Sequence, residues 1–167
     1  CFVIGDIHGC LDEMARLVES LPKKAGDRIV FLGDYVDRGP DSRGVLSYLI
    51  DLQAKANQDV IFLKGNHEDM LLSYLGFQGV HGDMFLINGG DATLASYGVT
   101  SRIGGTEGLR EKMPESHCDF LRCLRTHFLT EAFFCVHAGI HPLKSMENQT
   151  EEEMLWIRDE FILNRHS

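Results

Sequence analysis

Positive charge is scarce in this chain. Its 167 residues hold 16 Lys and Arg against 25 Asp and Glu, for a formal net charge of -9 and a pI near 5.3. That balance speaks against a nucleic-acid-binding surface. It leaves open whether the carboxylates serve solubility or hold cations. Long apolar runs are missing too: none approaches the ~20 residues a helix needs to cross a bilayer, so no membrane segment is expected. Cysteine is sparse and badly spaced for metal or disulfide chemistry. Cys1, Cys10, Cys118, Cys123 and Cys135 are an odd number without a CxxC pair or zinc-finger spacing. A reducing, cytoplasmic compartment is therefore expected. No internal repeat, low-complexity tract or domain linker is present. No signal-peptide pattern is present either, although the chain opens at Cys1 inside an apolar run rather than at a Met, which makes that absence weak. The length fits one domain, residues 1–167, with a substantial core.

What the chain does have is a repeated motif of organisation: an apolar run that ends in a polar cluster. Ile29-Val30-Phe31-Leu32 runs into Gly33-Asp34-Tyr35-Val36-Asp37-Arg38-Gly39. Val3-Ile4 runs into GDIHG, Val60-Ile61-Phe62-Leu63 into KGNHE, and Phe133-Phe134-Cys135-Val136 into HAG. Between these runs lie helical patterns. Leu11, Met14, Leu17, Val18 and Leu21 predict a helix over 11–21, and Val45, Leu49 and Leu52 predict one to about Ala56. Pro40 sits where that second helix would begin. A further helix follows the strand at 59–63, with Asn66 as its cap and Glu68 and Asp69 in its first turn. Strand alternating with helix argues for an α/β domain, whose ligands collect at the C-terminal ends of the strands.

The remainder is less regular. Residues 76–114 carry nine glycines and little periodicity; Ile87–Asp91 and Ala95–Gly98 read as turns. Phe85, Leu86, Leu94 and Tyr97 point to a packed insertion or a substrate entrance. Pro114 opens a predicted helix on which Leu121, Leu124 and Phe128 share a face. Thr150 and Glu153 form a capping box for a helix expected to reach Arg158.

The polar groups at the strand ends are Asp6, His8, Asp34, Asp37, Arg38, Asn66, His67, Glu68 and His137. Carboxylate, imidazole and amide oxygen without thiolate suit divalent manganese, iron, zinc or nickel. A carboxylate can bridge two such ions, and an arginine fork matches a phosphate. Together these are the equipment for phosphate-ester hydrolysis.

GDIHG, GDYVDRG, GNHE and VHAG, in this order, resemble the signature of the phosphoprotein phosphatase family of calcineurin-like metallophosphoesterases. The spacing and the LWIR segment are similar to the short bacterial and phage serine/threonine phosphatases. The resemblance implies a metallophosphoesterase-like β-sandwich flanked by helices. It implies two divalent ions, manganese foremost, with Asp6 and His8 on the first, Asn66 and His137 on the second, and Asp34 bridging both. His67 would be the general acid, and Asp37 would orient it and raise its pKa. Arg38, Arg158 and Asn66 would meet the substrate phosphate. A hydroxide between the metals would attack phosphorus, without a phospho-enzyme.

One departure stands out. The family closes its site with a further His in a GHT-like block, and this sequence has none. His141 is too close to His137, and His166 lacks a preceding strand. The C-terminal part of the fold is therefore expected to be missing from this chain or to diverge. Taken singly, each residue also has a plainer reading. The aspartates suit turns or caps, His8 and His137 suit a core, Asn66 suits a cap, and Glu68 suits a dipole partner or a group that supports the ligands from behind rather than a ligand. His81, His117, His127, His141 and His166 read as structural or surface residues. The substrate expected is a phosphoprotein or phosphopeptide. The alternatives are a dinucleoside polyphosphate such as diadenosine tetraphosphate, with Phe77, Phe85 or Tyr97 stacking on a base, and a non-catalytic binding module with an incomplete metal site.

Overall fold

The computed structural model describes residues 1–55, 60–100 and 104–164. Ala56, Asp59 and His166, which figured in the expectations above, lie outside the described residues. The parallel sheet consists of β1 (Phe2–Ile4), β2 (Ile29–Phe31) and β3 (Val60–Phe62), in that order. Its register aligns Val3 with Val30 and Val30 with Ile61. The crossovers are α1 (Leu11–Ser20) and α2 (Ser42–Lys55), and α3 (Asn66–Tyr74) follows β3. Asp41 rather than Pro40 starts α2: its carboxylate takes the Gly44 amide at 2.7 Å.

Alternation sorts the strand residues between two layers. Ile4, Ile29, Phe31 and Phe62 face a core with Met14, Val18, Leu46, Leu49 and Leu71. Val30, Ile61 and Leu63 face the other way, against Cys135. That second layer is the antiparallel pair β4 (His127–Leu129) and β5 (Phe134–Val136). All five cysteines are free. No helix among the described residues is long and apolar enough to cross a membrane.

The insertion is packed, not a string of turns. Phe85, Leu94 and Tyr97 are buried in the main core. Leu86–Gly90 forms one wide helical turn that runs directly into α4 (Asp91–Ser96), and α5 (Gly105–Lys112) follows. Phe85 and Tyr97 are thereby removed as base-stacking groups, and Phe77 lies under the Arg122 guanidinium. The next helix, α6 (Glu115–Arg122), is shorter than its periodicity suggests. Arg125 pairs with β3 through its N–H to Phe62 and its carbonyl to Lys64, at 3.2 and 2.8 Å. That bridge ends the helix and delivers Phe128 to β4. The Thr150 capping box forms as expected, but α7 (Glu151–Trp156) stops before Arg158, which precedes α8 (Asp159–Ile162). Lys64, nearly buried, ties α7 to α3 through Glu151 at 2.7 Å and Asp69 at 3.0 Å.

His117 is a structural histidine, as expected, and it imposes a pH dependence. Tyr97 O–H donates to its Nδ1 at 2.6 Å, and Nε2 meets Ser47 Oγ at 3.2 Å. Burial first, and then the Arg43 cation, hold its pKa below the ordinary value. A histidine depressed in the fold binds its proton more readily when unfolded. Its contribution is thus complete above about pH 6.5 and lost as pH falls through the folded value. Thermal melts from pH 7.5 down to 5 should show His117→Gln losing less stability on acidification than the parent. Parallel curves would remove His117 as a source of the slope.

Candidate metal centre and acid site

The loop from Asp34 to Gly39 is the centre of the site, and its backbone is unusual. His8, Asp34, Asp37 and Arg38 all have positive φ, at 44, 55, 71 and 65°. Non-glycine residues adopt this conformation only when their surroundings impose it. Gly33 at the loop entrance has φ 111°, and a Cβ there would drive into the Gly65 backbone.

Every amide from Asp34 to Gly39 is accounted for. The Glu68 carboxylate, fully buried at the start of α3, accepts from Asp34 at 2.8 Å, Tyr35 at 2.7 Å and Val36 at 3.3 Å. It also takes the Gly65 amide at 2.9 Å. The Asp37 amide meets Ser42 Oγ and Thr93 Oγ1 at 3.0 and 2.9 Å. Arg38 N–H donates to the Gly89 carbonyl at 3.1 Å, and Gly39 N–H to the Asp37 carbonyl at 2.7 Å. Glu68 is therefore the brace of the loop rather than a partner of the helix dipole. Asn66 is the first residue of α3 and not its cap.

Asp34 is nearly buried, and its two oxygens face different neighbours. Oδ2 lies 3.6 Å from His8 Nε2 and 4.0 Å from His67 Nε2. Oδ1 lies 3.5 Å from His137 Nε2 and accepts the His67 amide at 3.1 Å. Asp6, exposed, reaches His8 Nε2 at 3.9 Å. Two sets of donor atoms each fit within 4.8 Å: His8, Asp34 and His67, and Asp6, Asp34 and His137. Asp34 belongs to both.

His8 and His137 are oriented alike. The Nδ1 of His8 meets the Val36 carbonyl at 2.9 Å, and that of His137 the Leu32 carbonyl at 3.0 Å. A carbonyl only accepts, so Nδ1 carries the proton and Nε2 presents a lone pair to the centre. His137 Nε2 faces the Asn66 carbonyl oxygen at 3.0 Å. The His137 nitrogen and the Asn66 oxygen thus face each other with no proton between them, beside the Asp34 carboxylate, and a divalent cation satisfies such a donor set. The donor chemistry fits divalent ions, but the sets group Asp6 with His137, and His8 with His67, rather than Asp6 with His8.

His67 is held differently. Its Nδ1 lies 2.7 Å from Asp37 Oδ2, and the pair is buried. Arg38 spans both rings, with Nη1 at 2.9 Å from His8 Nε2 and Nη2 at 3.0 Å from His67 Nε2. Burial pushes the Asp34 carboxyl up to about 6 and those of Asp37 and Glu68 to about 7. Burial also holds His67 below its ordinary value, against the pull of Asp34. The expected upward shift of His67 is thus reversed, because its desolvation outweighs its carboxylate neighbours. Bound cations offset the cost of gathering such carboxylates.

Comparison with known proteins places this arrangement. Residues 2–167 match the family model described as calcineurin-like phosphoesterase. The chain belongs to that family. The chain is 40% identical over 174 residues to serine/threonine-protein phosphatase 1 of Salmonella typhimurium, covering 98% of this chain and 71% of that one. It is 32% identical over 148 residues to the serine/threonine-protein phosphatase 2B catalytic subunit A2 of Saccharomyces cerevisiae, 87% of this chain and 21% of that one. A crystal structure of a candidate diadenosine tetraphosphatase superposes with a TM-score of 0.60 at 26% identity, covering 91% of this chain and 55% of that one. The chain therefore spans from 21% to 71% of the length of these relatives.

Most residues expected in the site are brought together: Asp6, His8, Asp34, Asp37, Arg38, Asn66, His67 and His137. Arg158 is not. It is exposed beyond α7, and among the described residues it makes no hydrogen bond or ion pair with the cluster. Sequence reasoning missed Ser42, Thr93 and Gly89, and of its two readings of Glu68 the structure bears out the supporting one. Glu68 carried one signal, a carboxylate inside a recognised motif. Thr93 carried none.

Proposed function

We propose that this chain hydrolyses phosphate monoesters, with phosphoserine and phosphothreonine side chains of proteins as its substrates. The observation that carries the reading is the Asp34 carboxylate, shared between two donor sets beside the buried His67–Asp37 pair. The Salmonella relative bears the name of a serine/threonine phosphatase, which supports the substrate class.

Two bound divalent ions, manganese before iron, zinc or nickel, would supply Lewis acidity and an activated water. Asp6, His8, Asp34, Asn66 and His137 would hold them. The Arg38 fork matches two phosphate oxygens, and Asn66, beside His137, would meet the phosphate from another side. Arg158 would be an exposed arginine recruited by the substrate rather than preset. Asp37 holds the His67 ring so that Nε2 delivers a proton to the departing alkoxide. Arg38 must leave His67 Nε2 for that proton to be carried there. A cytoplasmic setting suits the free cysteines.

A nucleotide substrate is the second reading, favoured by the similarity to the candidate diadenosine tetraphosphatase. Burial of Phe85 and Tyr97 weighs against it, since a base needs an open ring to stack on. Phosphopeptide and diadenosine tetraphosphate, assayed side by side with added manganese, decide between them. Faster phosphate release from the phosphopeptide is expected. Preference for the dinucleotide would exchange the two readings. Turnover of neither, with manganese bound, would leave a binding module.

A further inference from the structure

The insertion reaches the acid of the site through one side chain. Asp37 is completely buried and its two oxygens are separately engaged. Oδ2 takes His67 Nδ1–H at 2.7 Å, and Oδ1 takes the Thr93 hydroxyl at 2.6 Å. Thr93 is itself fully buried on α4. Its oxygen accepts the Asp37 amide at 2.9 Å and lies 2.9 Å from Ser42 Oγ. A hydroxyl has one proton to give. Thr93 spends it on the carboxylate, so Ser42 donates to Thr93. The Thr93 hydroxyl thus has no free bonding capacity and one direction.

The same segment holds the next residue. The Gly89 carbonyl receives Arg38 N–H at 3.1 Å, and Gly89 has φ 102°. A Cβ there would lie 2.8 Å from Arg38 Cγ. Residues 89–93 therefore grip both Asp37 and Arg38, each in the left-handed region where a non-glycine residue must be held.

We propose that Thr93 is a positioning residue for His67, acting through Asp37, and that the glycine-rich insertion is built into the acid machinery rather than placed as a substrate entrance. This rests on the phosphatase reading above for its consequence in catalysis, but not for its geometry. A carboxylate bonded at one oxygen can turn about its own axis. Bonded at both, it keeps Oδ2 aimed at Nδ1 and so keeps Nε2 aimed at the centre. Precision of this kind in the groups behind a reacting side chain decides how well it is aligned.

The test compares Thr93→Val, which removes the hydroxyl at nearly constant shape, with Thr93→Ser, which keeps it. In protein labelled with ¹⁵N-histidine, the low-field Nδ1–H resonance of His67 is assigned by its loss in His67→Asn. It should shift upfield or broaden in Thr93→Val and stay in place in Thr93→Ser. In turnover, Thr93→Val should raise the ratio of aryl to alkyl phosphate rates about tenfold or more at unchanged metal content, whereas Thr93→Ser keeps the parent ratio. Thr93→Ala takes the place of Thr93→Val if the valine variant fails to fold. An unmoved resonance, or equal slowing of both esters, would overturn the proposal. If no ester is hydrolysed even by the parent, the phosphatase reading falls, and the resonance still decides the role of Thr93.

Discussion

Replacing Asp34 with Asn is expected to empty both ion positions at once. Its oxygens face two donor sets, and no other residue in the described site belongs to both. An amide keeps one oxygen acceptor and turns an NH2 toward the other set, where only electron-pair donors stand. Elemental analysis of protein purified without chelator should fall from close to two equivalents per chain to near zero. Activity should fall by more than the ~10–100-fold that follows loss of a group outside the coordination sphere. Asp6→Asn is the contrast, since Asp6 is exposed and serves one set, so it should weaken one ion only. Retention of one full equivalent in Asp34→Asn would mean that Asp34 does not bridge. Stability should move the opposite way. Burial raises the Asp34 pKa to about 6, so its charge costs the fold stability at pH 7 when chelator has removed the ions. With EDTA present, Asp34→Asn should melt no lower than the parent. A large drop in both melting point and metal content would mean only that the site had collapsed.

The residues that face the centre were legible because their chemistry and their place after an apolar strand agree. Asp6, His8, Asp34, Asn66 and His137 each combine a ligand-type side chain with the C-terminal end of a strand. Of the groups that hold them, Glu68 was legible only as one of two alternatives, and Thr93 was not legible. Glu68 stands in the first turn of a helix, where a carboxylate already has a local explanation in the dipole. Three of its four partners are amides 32 to 34 residues away, and only the tertiary fold joins them; the fourth, Gly65, is local. Thr93 lies 56 residues from the carboxylate it bonds, in a stretch where periodicity fails. Hydrogen bonds across such distances leave no trace in local pattern. The same reason explains the shortened α6. Its apolar spacing continues to Phe128, but the strand pairing of Arg125 with β3 competes with the helix and wins. Arg158 shows the converse. A motif named it, and the helix that should have carried it stops two residues earlier.

The structure also sharpens a question about His67 that its motif left closed. Its Nε2 is near enough to His8 and Asp34 to be an ion ligand, and a carboxylate behind a histidine is common at metal sites. The partners of Nδ1 separate the two roles. His8 and His137 are backed by neutral carbonyls, which favour the neutral ring that coordinates metal. His67 is backed by the Asp37 carboxylate, which fixes the ring and offers its charged form a partner, while burial keeps its pKa below the ordinary value. His67→Asn should therefore keep the metal content of the parent while slowing turnover. Loss of a positioned acid costs about 10²–10⁴-fold, and that loss should fall on alkyl phosphates, whose leaving oxygen needs the proton. Aryl phosphates, with a stable leaving group, should slow far less. Asp37→Asn should show the same split more weakly, because the ring remains but its carboxylate partner is gone. Equal slowing of both esters, together with loss of about one metal equivalent, would make His67 a ligand. The acid would then have to be sought elsewhere, with the Arg38 guanidinium that already touches both rings left to stabilise the phosphate alone.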